Sequence, residues 1–252
     1  MIDAAGRRAA ARMQRAAAWV AVLAVALAAV GAAAWTAQRP RFDIRRIVVL
    51  GDAQHVSEQA LRQAIAGRLA GNYFTIGLAD AQRVFETVPW VARASIRRVW
   101  PDRLVVTLTE HRPIGVWSDG RLLSDAGILF EANPAEAEAT AAESGRPALV
   151  EFSGPARIAA EAAMRLREFE PELARCGLAV AAIEISDRAG WSVQARNGPR
   201  LVLGRDEPAG ALRERLAAVA SVYPTLVARI GAPPLRIDAR YPNGLAVASP
   251  PS

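Results

Sequence analysis

The order of apolar and polar residues divides the chain into an apolar N-terminal stretch and two regions with the periodicity of folded domains. Residues 16–35 contain no charged side chain and would span about 30 Å as a helix. Trp19 and Trp35 lie near the two ends of this stretch, where indoles favour the membrane interface. The pattern predicts a transmembrane helix at 16–35, preceded by a tail at 1–15.

A cleaved signal peptide is the alternative interpretation of this stretch. The small residues at 32–34 are typical of a cleavage site. The apolar run is longer than a usual signal core, which favours a retained anchor. Four arginines precede the run and four follow it closely, so the charges alone do not decide its orientation.

After a linker at 36–41, residues 42–112 show the pattern of a small domain. Ser57 followed by Glu58 is a helix-start signal, and a proline is common just after a helix end. Apolar and polar residues then alternate on both sides of a Pro-Asp turn, which predicts a hairpin with one buried face. The predicted order is strand, helix, helix, strand, strand, at 42–50, 57–69, 78–87, 90–97 and 104–109.

Residues 113–252 are dominated by short strand patterns separated by tight turns. Asn243-Gly244 is a strong hairpin signal between two of these strands. The acidic, alanine-rich stretch 131–145 lacks apolar periodicity and is predicted to be a loop. Amphipathic helices are predicted at 157–175 and 211–222, the second closed by Tyr223-Pro224. We therefore expect an α+β chain whose last domain is a mostly antiparallel, curved sheet with two helices.

The charges argue against a nucleic-acid-binding domain. All 31 basic residues are arginine, and eight of them lie in residues 1–46 with only two aspartates, so the rest of the chain is formally neutral. Without lysine, a P-loop and a Schiff base are excluded. With only Cys176, His55 and His111, a Cys/His zinc site of the usual kind is not expected either. The sequence thus predicts no nucleic-acid partner, no metal and no cofactor.

A search for catalytic residues gives no active-site motif. His111 lies between Glu110 and Arg112, an arrangement more typical of an exposed polar position than of an acid–base pair. Cys176 is expected at a helix C-terminus, where the helix dipole does not favour a thiolate. Two classes remain: a non-catalytic membrane-anchored binding protein, and a membrane-anchored envelope enzyme such as a peptidoglycan hydrolase. The missing active-site signature favours the first.

Four stretches carry a resemblance to a known family. FDIRRIVVLG begins at Phe42, VPWVARASIRRVWPDRLVVTLTEHRPIGVW at Val88, RLLSDAGILFE at Arg121 and LRIDARYPNGLAVA at Leu235. The strand and helix order before residue 113 is similar to a POTRA domain, and the four stretches together closely resemble the FtsQ/DivIB family of bacterial cell-division proteins. The resemblance covers nearly the whole chain in order.

The resemblance implies a single-pass type II protein of the cell inner membrane at the division septum. Residues 1–15 would be cytoplasmic, with a POTRA-like domain at 42–112 and an FtsQ-type β domain at 113–252 in the periplasm. It implies a scaffold without catalytic activity that links early to late division proteins. FtsB-like and FtsL-like proteins would bind the last exposed strand, and FtsK-like and FtsW-like proteins are further implied partners, beside the lipid bilayer.

The family pattern also implies partner-binding residues. Arg240, Tyr241, Asn243 and Gly244 match the C-terminal Arg-Tyr-x-x-Gly pattern, and Arg188 matches a basic position that faces an acidic partner residue. The alternative is structural, with Tyr241 capping a core edge and Gly244 only making a turn. Well-known members of the family have a tryptophan shortly after the glycine, where this chain has Ser249, so an aromatic anchor of the interface is absent or supplied elsewhere.

Overall fold

The computed structural model of the protein describes residues 3–37, 40–69, 71–241 and 244–249. Within the first helix it describes the side chains of residues 17–32, 35 and 36. The chain divides into two compact units between Thr109 and Glu110. Each unit has its own cluster of buried apolar side chains.

The first helix, α1, runs from Asp3 to Ala37 and includes the apolar run at 16–35. Its described side chains are exposed, among them Trp19 at 73% and Trp35 at 62%. Within the described residues, no helix has both the length and the apolar character that crossing a membrane requires.

The rest of the first unit has the predicted order of strands and helices. Ser57 caps the first helix of this region by accepting a hydrogen bond from the Ala60 N–H at 3.1 Å. The first strand begins later than predicted, because Phe42 belongs to a 3-10 turn, Pro40–Phe42. The elements are β1 (Arg46–Asp52), α2 (Glu58–Ile65), α3 (Leu78–Phe85), β2 (Val91–Val99) and β3 (Arg103–Glu110).

These three strands form one sheet in the order β1-β3-β2. β1 runs parallel to β3, from Arg46 opposite Arg103 to Asp52 opposite Thr109. In β3 the alternating positions Leu104, Val106 and Leu108 are buried, as predicted, and Val105 on the other face is buried too. In β2 Ala94 is buried, whereas Ala92 is exposed. The two helices pack the rest of the core with Leu61 and Phe85.

The second unit contains a sheet of nine strands in the order β12-β11-β10-β9-β8-β7-β4-β5-β6. Its helices are α4 (Pro134–Glu143), α5 (Ala159–Ala174) and α6 (Ala211–Ile230). Its strands are β4 (Pro113–Trp117), β5 (Leu122–Ser124), β6 (Leu129–Phe130), β7 (Val150–Ser153), β8 (Val180–Ile185), β9 (Trp191–Ala195), β10 (Arg200–Gly204), β11 (Arg236–Asp238) and β12 (Ala246–Ala248).

The sheet is more mixed than expected. Five neighbouring pairs are antiparallel. Three pairs, β4 with β7, β7 with β8 and β10 with β11, are parallel. The parallel pairs arise because β7, which the sequence pattern does not predict, inserts between β4 and β8, and because α6 carries the chain from β10 to β11. A parallel neighbour needs such a long connection.

The prediction of a loop at 131–145 is wrong, because α4 lies there. The Asn133 side chain caps this helix by accepting from the Ala135 N–H at 3.0 Å, and Pro134 occupies its first turn. Ala137 and Ala141, one helical turn apart, are buried. The unit therefore carries three helices among its described residues, not two. Alanine favours a helix and can be buried without giving a strong apolar stripe.

The predicted end of the last helix is also wrong. Pro224 lies inside α6, which continues to Ile230 and ends at Gly231, whose φ is +80°. A proline inside a helix removes one backbone hydrogen bond. Leu226 and Val227 beyond it pack on the core, which stabilises the extra turns.

Candidate functional site

The strand β12 forms one edge of the nine-stranded sheet. It pairs antiparallel with β11, with Ala246 opposite Asp238 and Ala248 opposite Arg236. The Leu235 N–H donates to the Ala248 carbonyl at 2.9 Å and closes the pairing at this end. Because the sheet ends here in the described structure, the outer backbone groups of β12 are available to an added strand.

A buried carboxylate at the end of β11 holds Arg240 in place. The Arg240 Nε and Nη2 donate to the two oxygens of Asp238 at 2.8 and 2.6 Å, and the Arg240 backbone N–H donates at 3.2 Å. These hydrogen bonds, above all those from the Arg240 side chain, hold the pKa of Asp238 below its usual value. Asp238 is 7% exposed, whereas half of the Arg240 side chain faces solvent. The pair thus presents an oriented guanidinium at the surface.

The loop after β10 forms the floor beside Arg240. Arg215, on α6, donates to the carbonyls of Leu203 at 2.8 Å and Arg205 at 2.6 Å. Asp206 in the same loop accepts from the Leu212 N–H at 3.1 Å and pairs with Arg165 of α5 at 2.5 Å. Hydrogen bonds and an ion pair therefore hold the loop against α5 and α6.

Arginines converge on one depression at this floor, which we call the basic depression. Its volume is about 380 Å³. Arg188 reaches it from the exposed turn between β8 and β9. Four arginines and one glutamate line it together with two glycines: Arg188, Gly190, Gly204, Arg205, Glu207, Arg215 and Arg240. Such a concentration of guanidinium groups suits a carboxylate ligand.

A second concavity, which we call the apolar cleft, lies along α6. Its volume is about 540 Å³, and Arg215 borders it as well as the basic depression. Tyr241 and Val222, which are 58% and 40% exposed, lie in its lining with Gly244 and Leu245. The two concavities therefore adjoin each other next to the edge strand, one suited to an acidic group and one to an apolar side chain.

The structure brings the residues implied by the resemblance to this one surface, in two sets. Arg188 and Arg240 share the basic depression, although 51 positions separate them along the chain. Tyr241 and Gly244 line the apolar cleft. Asn243 lies outside the described residues. Their binding role stays a prediction.

Sequence reasoning missed the contribution of the loop after β10 and of α6. Arg205 and Arg215 line the basic depression, and Ala218 and Val222 line the apolar cleft. Arg215, Ala218 and Val222 are spaced by three and four residues, which places them on one helix face. That spacing was the one sequence signal for this part of the site. The three residues lie next to the apolar stripe of Leu212, Leu216 and Val219, which faces the core and dominates the helix pattern.

The side chains considered for catalysis are both partly buried, so the prediction of an exposed position for His111 is wrong. His111 stacks on Phe130 with 4.5 Å between ring centroids, and burial lowers its pKa. Burial also raises the pKa of the Cys176 thiol, which donates to the Leu173 carbonyl at 3.1 Å. Over the described part of the chain, no cluster of His, Cys, Asp or Glu side chains could hold a metal ion.

Comparison with known families matches both units. Residues 42–111 match the model of the FtsQ-type POTRA domain, and residues 115–240 match that of the C-terminal region of cell division protein FtsQ/DivIB. The cell division protein FtsQ of Burkholderia pseudomallei is 38% identical over 227 residues, which cover 90% of this chain and 87% of that protein.

Two further relatives with the same name cover the chain to a similar extent. FtsQ of Thiomonas arsenitoxydans is 36% identical over 84% of this chain and 77% of its own length. FtsQ of Bordetella pertussis is 34% identical over 92% of this chain and 89% of its own. The similarity thus extends over both units and is not confined to one domain.

Proposed function

The chain belongs to the FtsQ/DivIB family of bacterial cell-division proteins, and from that premise we propose that it is a non-catalytic scaffold of the septum assembly machinery. Its second unit binds the periplasmic segments of FtsB-like and FtsL-like proteins. Its first unit, the POTRA-type one, contacts other division proteins of the FtsK-like and FtsW-like kind. In this way it connects early to late steps of division.

One observation carries the proposal: the basic depression and the apolar cleft adjoin each other beside an edge strand. A polypeptide that adds a strand to β12 gains backbone hydrogen bonds along the edge. Its neighbouring side chains then lie over the two concavities. A carboxylate of the partner pairs with Arg188 and Arg240, and an apolar side chain enters the cleft beside Tyr241. Backbone pairing supplies affinity, and the two concavities fix the register.

The apolar cleft also bears on the missing tryptophan. Ser249 cannot serve as an aromatic anchor after the glycine strand. In the proposed complex Tyr241 and Val222, both exposed, provide the apolar contact instead. The anchor residue is then on the partner, and this chain supplies the cleft.

We further propose that residues 16–35 anchor the protein in the inner membrane, with residues 1–15 in the cytoplasm and both units in the periplasm. Residues 16–35 carry no charge and lie within the continuous helix α1. The side chains of Val20, Leu23 and Val25 are 60–70% exposed among the residues that the structure describes. A row of exposed apolar side chains on an uncharged stretch of helix suits a lipid environment.

The test is calorimetric titration of the full chain, solubilised in detergent, with the periplasmic segment of an FtsB-like protein from the same organism. Arg188→Glu and Arg240→Glu each reverse a charge in the basic depression. Tyr241→Ala removes an aromatic ring from the lining of the apolar cleft. We expect all three to weaken binding. Arg213→Glu is the matched control, because Arg213 is an exposed arginine of α6 outside both concavities.

The possible results test the scaffold function and the proposed binding surface separately. Binding that weakens in the three variants and not in Arg213→Glu supports both. Binding that all four variants leave unchanged would keep the scaffold function but remove this surface from it. If the wild-type chain binds neither an FtsB-like nor an FtsL-like segment, the proposed function is wrong.

A further inference from the structure

Four aromatic side chains form a cluster on the surface of the first unit, outside its hydrophobic core. Phe42 lies with its ring centroid 5.1 Å from that of Phe74 and 5.5 Å from that of Trp100. Tyr73 lies 5.3 Å from both Phe74 and Trp100. Trp100 is 58% exposed and Phe74 is 49% exposed. A contiguous apolar patch of this kind usually marks a surface that something else covers. We call these four residues the aromatic cluster.

The backbone holds the aromatic cluster in this arrangement. Its members come from three segments: the 3-10 turn after α1, the loop between α2 and α3, and the turn between β2 and β3. The Tyr73 N–H donates to the Phe42 carbonyl at 2.8 Å. The buried side chain of Asn72 accepts from the Phe74 N–H at 3.0 Å. The exposed rings are thus preorganised, so covering them costs little conformational entropy.

The aromatic cluster lies very close along the chain to the end of α1. That helix ends at Ala37, and Phe42 follows five residues later. Five residues extend at most about 18 Å, so Phe42 cannot lie farther than that from the end of the helix. The headgroup layer on each side of a bilayer is roughly 5–8 Å thick. A helix end at the membrane surface therefore keeps the aromatic cluster within reach of that surface.

The charges around the aromatic cluster match an anionic membrane. The Arg45 N–H donates to the Asp102 carbonyl at 2.9 Å, which fixes the segment after Phe42 beside the turn that carries Trp100. Exposed arginines outnumber acidic side chains on these two segments: Arg41, Arg45, Arg46 and Arg103, against Asp43 and Asp102. Arginines next to a membrane attract anionic headgroups, and Trp and Tyr side chains favour the interfacial layer.

We propose that the aromatic cluster docks on the periplasmic surface of the membrane, with Phe74 and Trp100 among the lipid headgroups and the flanking arginines on their phosphates. This inference rests on the proposed membrane anchoring. Docking orients the first unit, because the cluster lies at the end of β1 where Arg46 faces Arg103, and the opposite end points away from the lipid. The orientation decides which faces of the unit other proteins can reach.

The test is fluorescence quenching in nanodiscs of phosphatidylcholine and phosphatidylglycerol that contain the purified full chain alone. Single cysteines are placed in a Cys176→Ser background and labelled with bimane. Arg103→Cys reports beside Trp100; it leaves the four rings of the aromatic cluster in place and removes one of the four flanking arginines. Gln59→Cys is the matched control, since Gln59 is an exposed residue at the start of α2, beyond the opposite end of β1. Val25→Cys, in the middle of the apolar run, reports on the anchor itself.

We expect nitroxide-labelled headgroups to quench the label at 103 and not the label at 59, and a nitroxide deep in the acyl chains to quench the label at 25. Replacing both Phe74 and Trp100 by Ser should lower quenching at 103 to the level at 59. Far-ultraviolet circular dichroism, which reports on the backbone and not on the replaced rings, checks that the variants stay folded.

Each other outcome has a definite meaning. Quenching at 25 without quenching at 103 overturns the docking and leaves the anchor in place. Equal quenching at 103 and 59 also overturns it, because contact with lipid is then not specific to the cluster. A label at 25 that no lipid nitroxide quenches shows that the proposed anchoring is wrong, and docking fails with it.

Discussion

Gly204 offers a sharp test of how the basic depression is built. It ends β10 at a point where the register with β9 shifts, and its φ is +81°, a left-handed conformation that L side chains rarely adopt. A Cβ added there would lie 3.0 Å from Cγ and 3.4 Å from Cδ of Arg240. Gly204→Ala therefore acts twice, on the backbone of the strand and on the side chain that the site presents.

The size of each effect follows from this geometry. A non-glycine residue in the left-handed region costs about 1–2 kcal/mol of folding stability. For a chain of this size each kcal/mol lowers the melting temperature by about 2–4 °C. The contact at 3.0 Å requires Arg240 to move by a few tenths of an ångström, and Asp238 holds its guanidinium at 2.6 and 2.8 Å. We expect partner affinity to fall about three- to tenfold, less than after removal of the charge.

The assay pairs thermal unfolding by circular dichroism with calorimetric titration of the FtsB-like segment. Gly120→Ala is the matched control: Gly120 has a φ of +88°, and a Cβ there would meet no atom within 4 Å. Both variants should lose similar stability, and only Gly204→Ala should lose affinity. Equal affinity in the two variants would show that the position of Arg240 does not matter for binding, and the reasoning about the basic depression would fail.

Three further predictions concern other parts of the second unit. Asp238→Asn should weaken partner binding about two- to tenfold in the same titration, because Arg240 loses its carboxylate and must be ordered on binding; unchanged affinity would contradict this role. Gly115→Ala should lower the free energy of unfolding, measured with denaturant, by about 3 kcal/mol, since a Cβ there overlaps the Val150 carbonyl oxygen and the Phe152 ring. An unchanged free energy of unfolding would show that the strands move to accommodate the methyl group. The free energy of unfolding should fall as the pH drops below about 6.5, because burial lowers the pKa of His111 in the folded protein, so the unfolded chain takes up the proton first. His111→Gln should make the free energy of unfolding less dependent on pH in this range. An unchanged dependence would assign the effect to other groups.

Local patterns sufficed to predict much of the fold. The alternating residues of β2 and β3 predict a hairpin because side chains of one face of a strand are mostly buried and those of the other face mostly exposed. The strands β9 and β10 alternate strictly. A sequence pattern of this kind records whether a side chain is inside or outside, and for half-buried elements this determines the element type.

Three elements were missed or cut short by sequence reasoning: α4, β7 and the end of α6. α4 buries Ala137 and Ala141, whose methyl side chains give no apolar stripe. β7 has four residues, too few to show a period, and only its parallel neighbours β4 and β8 define it. The turns of α6 after Pro224 depend on packing of Leu226 and Val227 against the core. For β7 and the last turns of α6, long-range contacts stabilise the element, and a local window does not contain them. For α4 a local signal was present, since Asn133 caps the helix and Pro134 occupies its first turn.

The candidate site, too, was predicted only in part, because its residues come together through contacts that are distant in the sequence. The resemblance implied Arg188, Arg240, Tyr241 and Gly244, but no local pattern connects Arg188 with Arg240, because the connection runs through the sheet. Arg205 and the other arginines of the loop and helix look like ordinary surface residues in the sequence. The depression exists because the chain turns at Gly204, the last residue of β10, and Arg215 of α6 binds the backbone there.

The absence of lysine, which in the sequence only excludes reactions, has a structural meaning in this site. Arg215 uses one nitrogen to donate to two backbone carbonyls, of Leu203 and Arg205, and Arg240 places two nitrogens on the two oxygens of Asp238. A planar guanidinium meets such paired acceptors in fixed geometry, whereas an ammonium group is a point charge on a flexible stem. The same geometry recurs on the sheet, where Arg200 donates to both oxygens of Glu184 at 3.0 and 2.5 Å. Asp238 therefore holds the Arg240 guanidinium in a fixed orientation while half of the Arg240 side chain stays exposed.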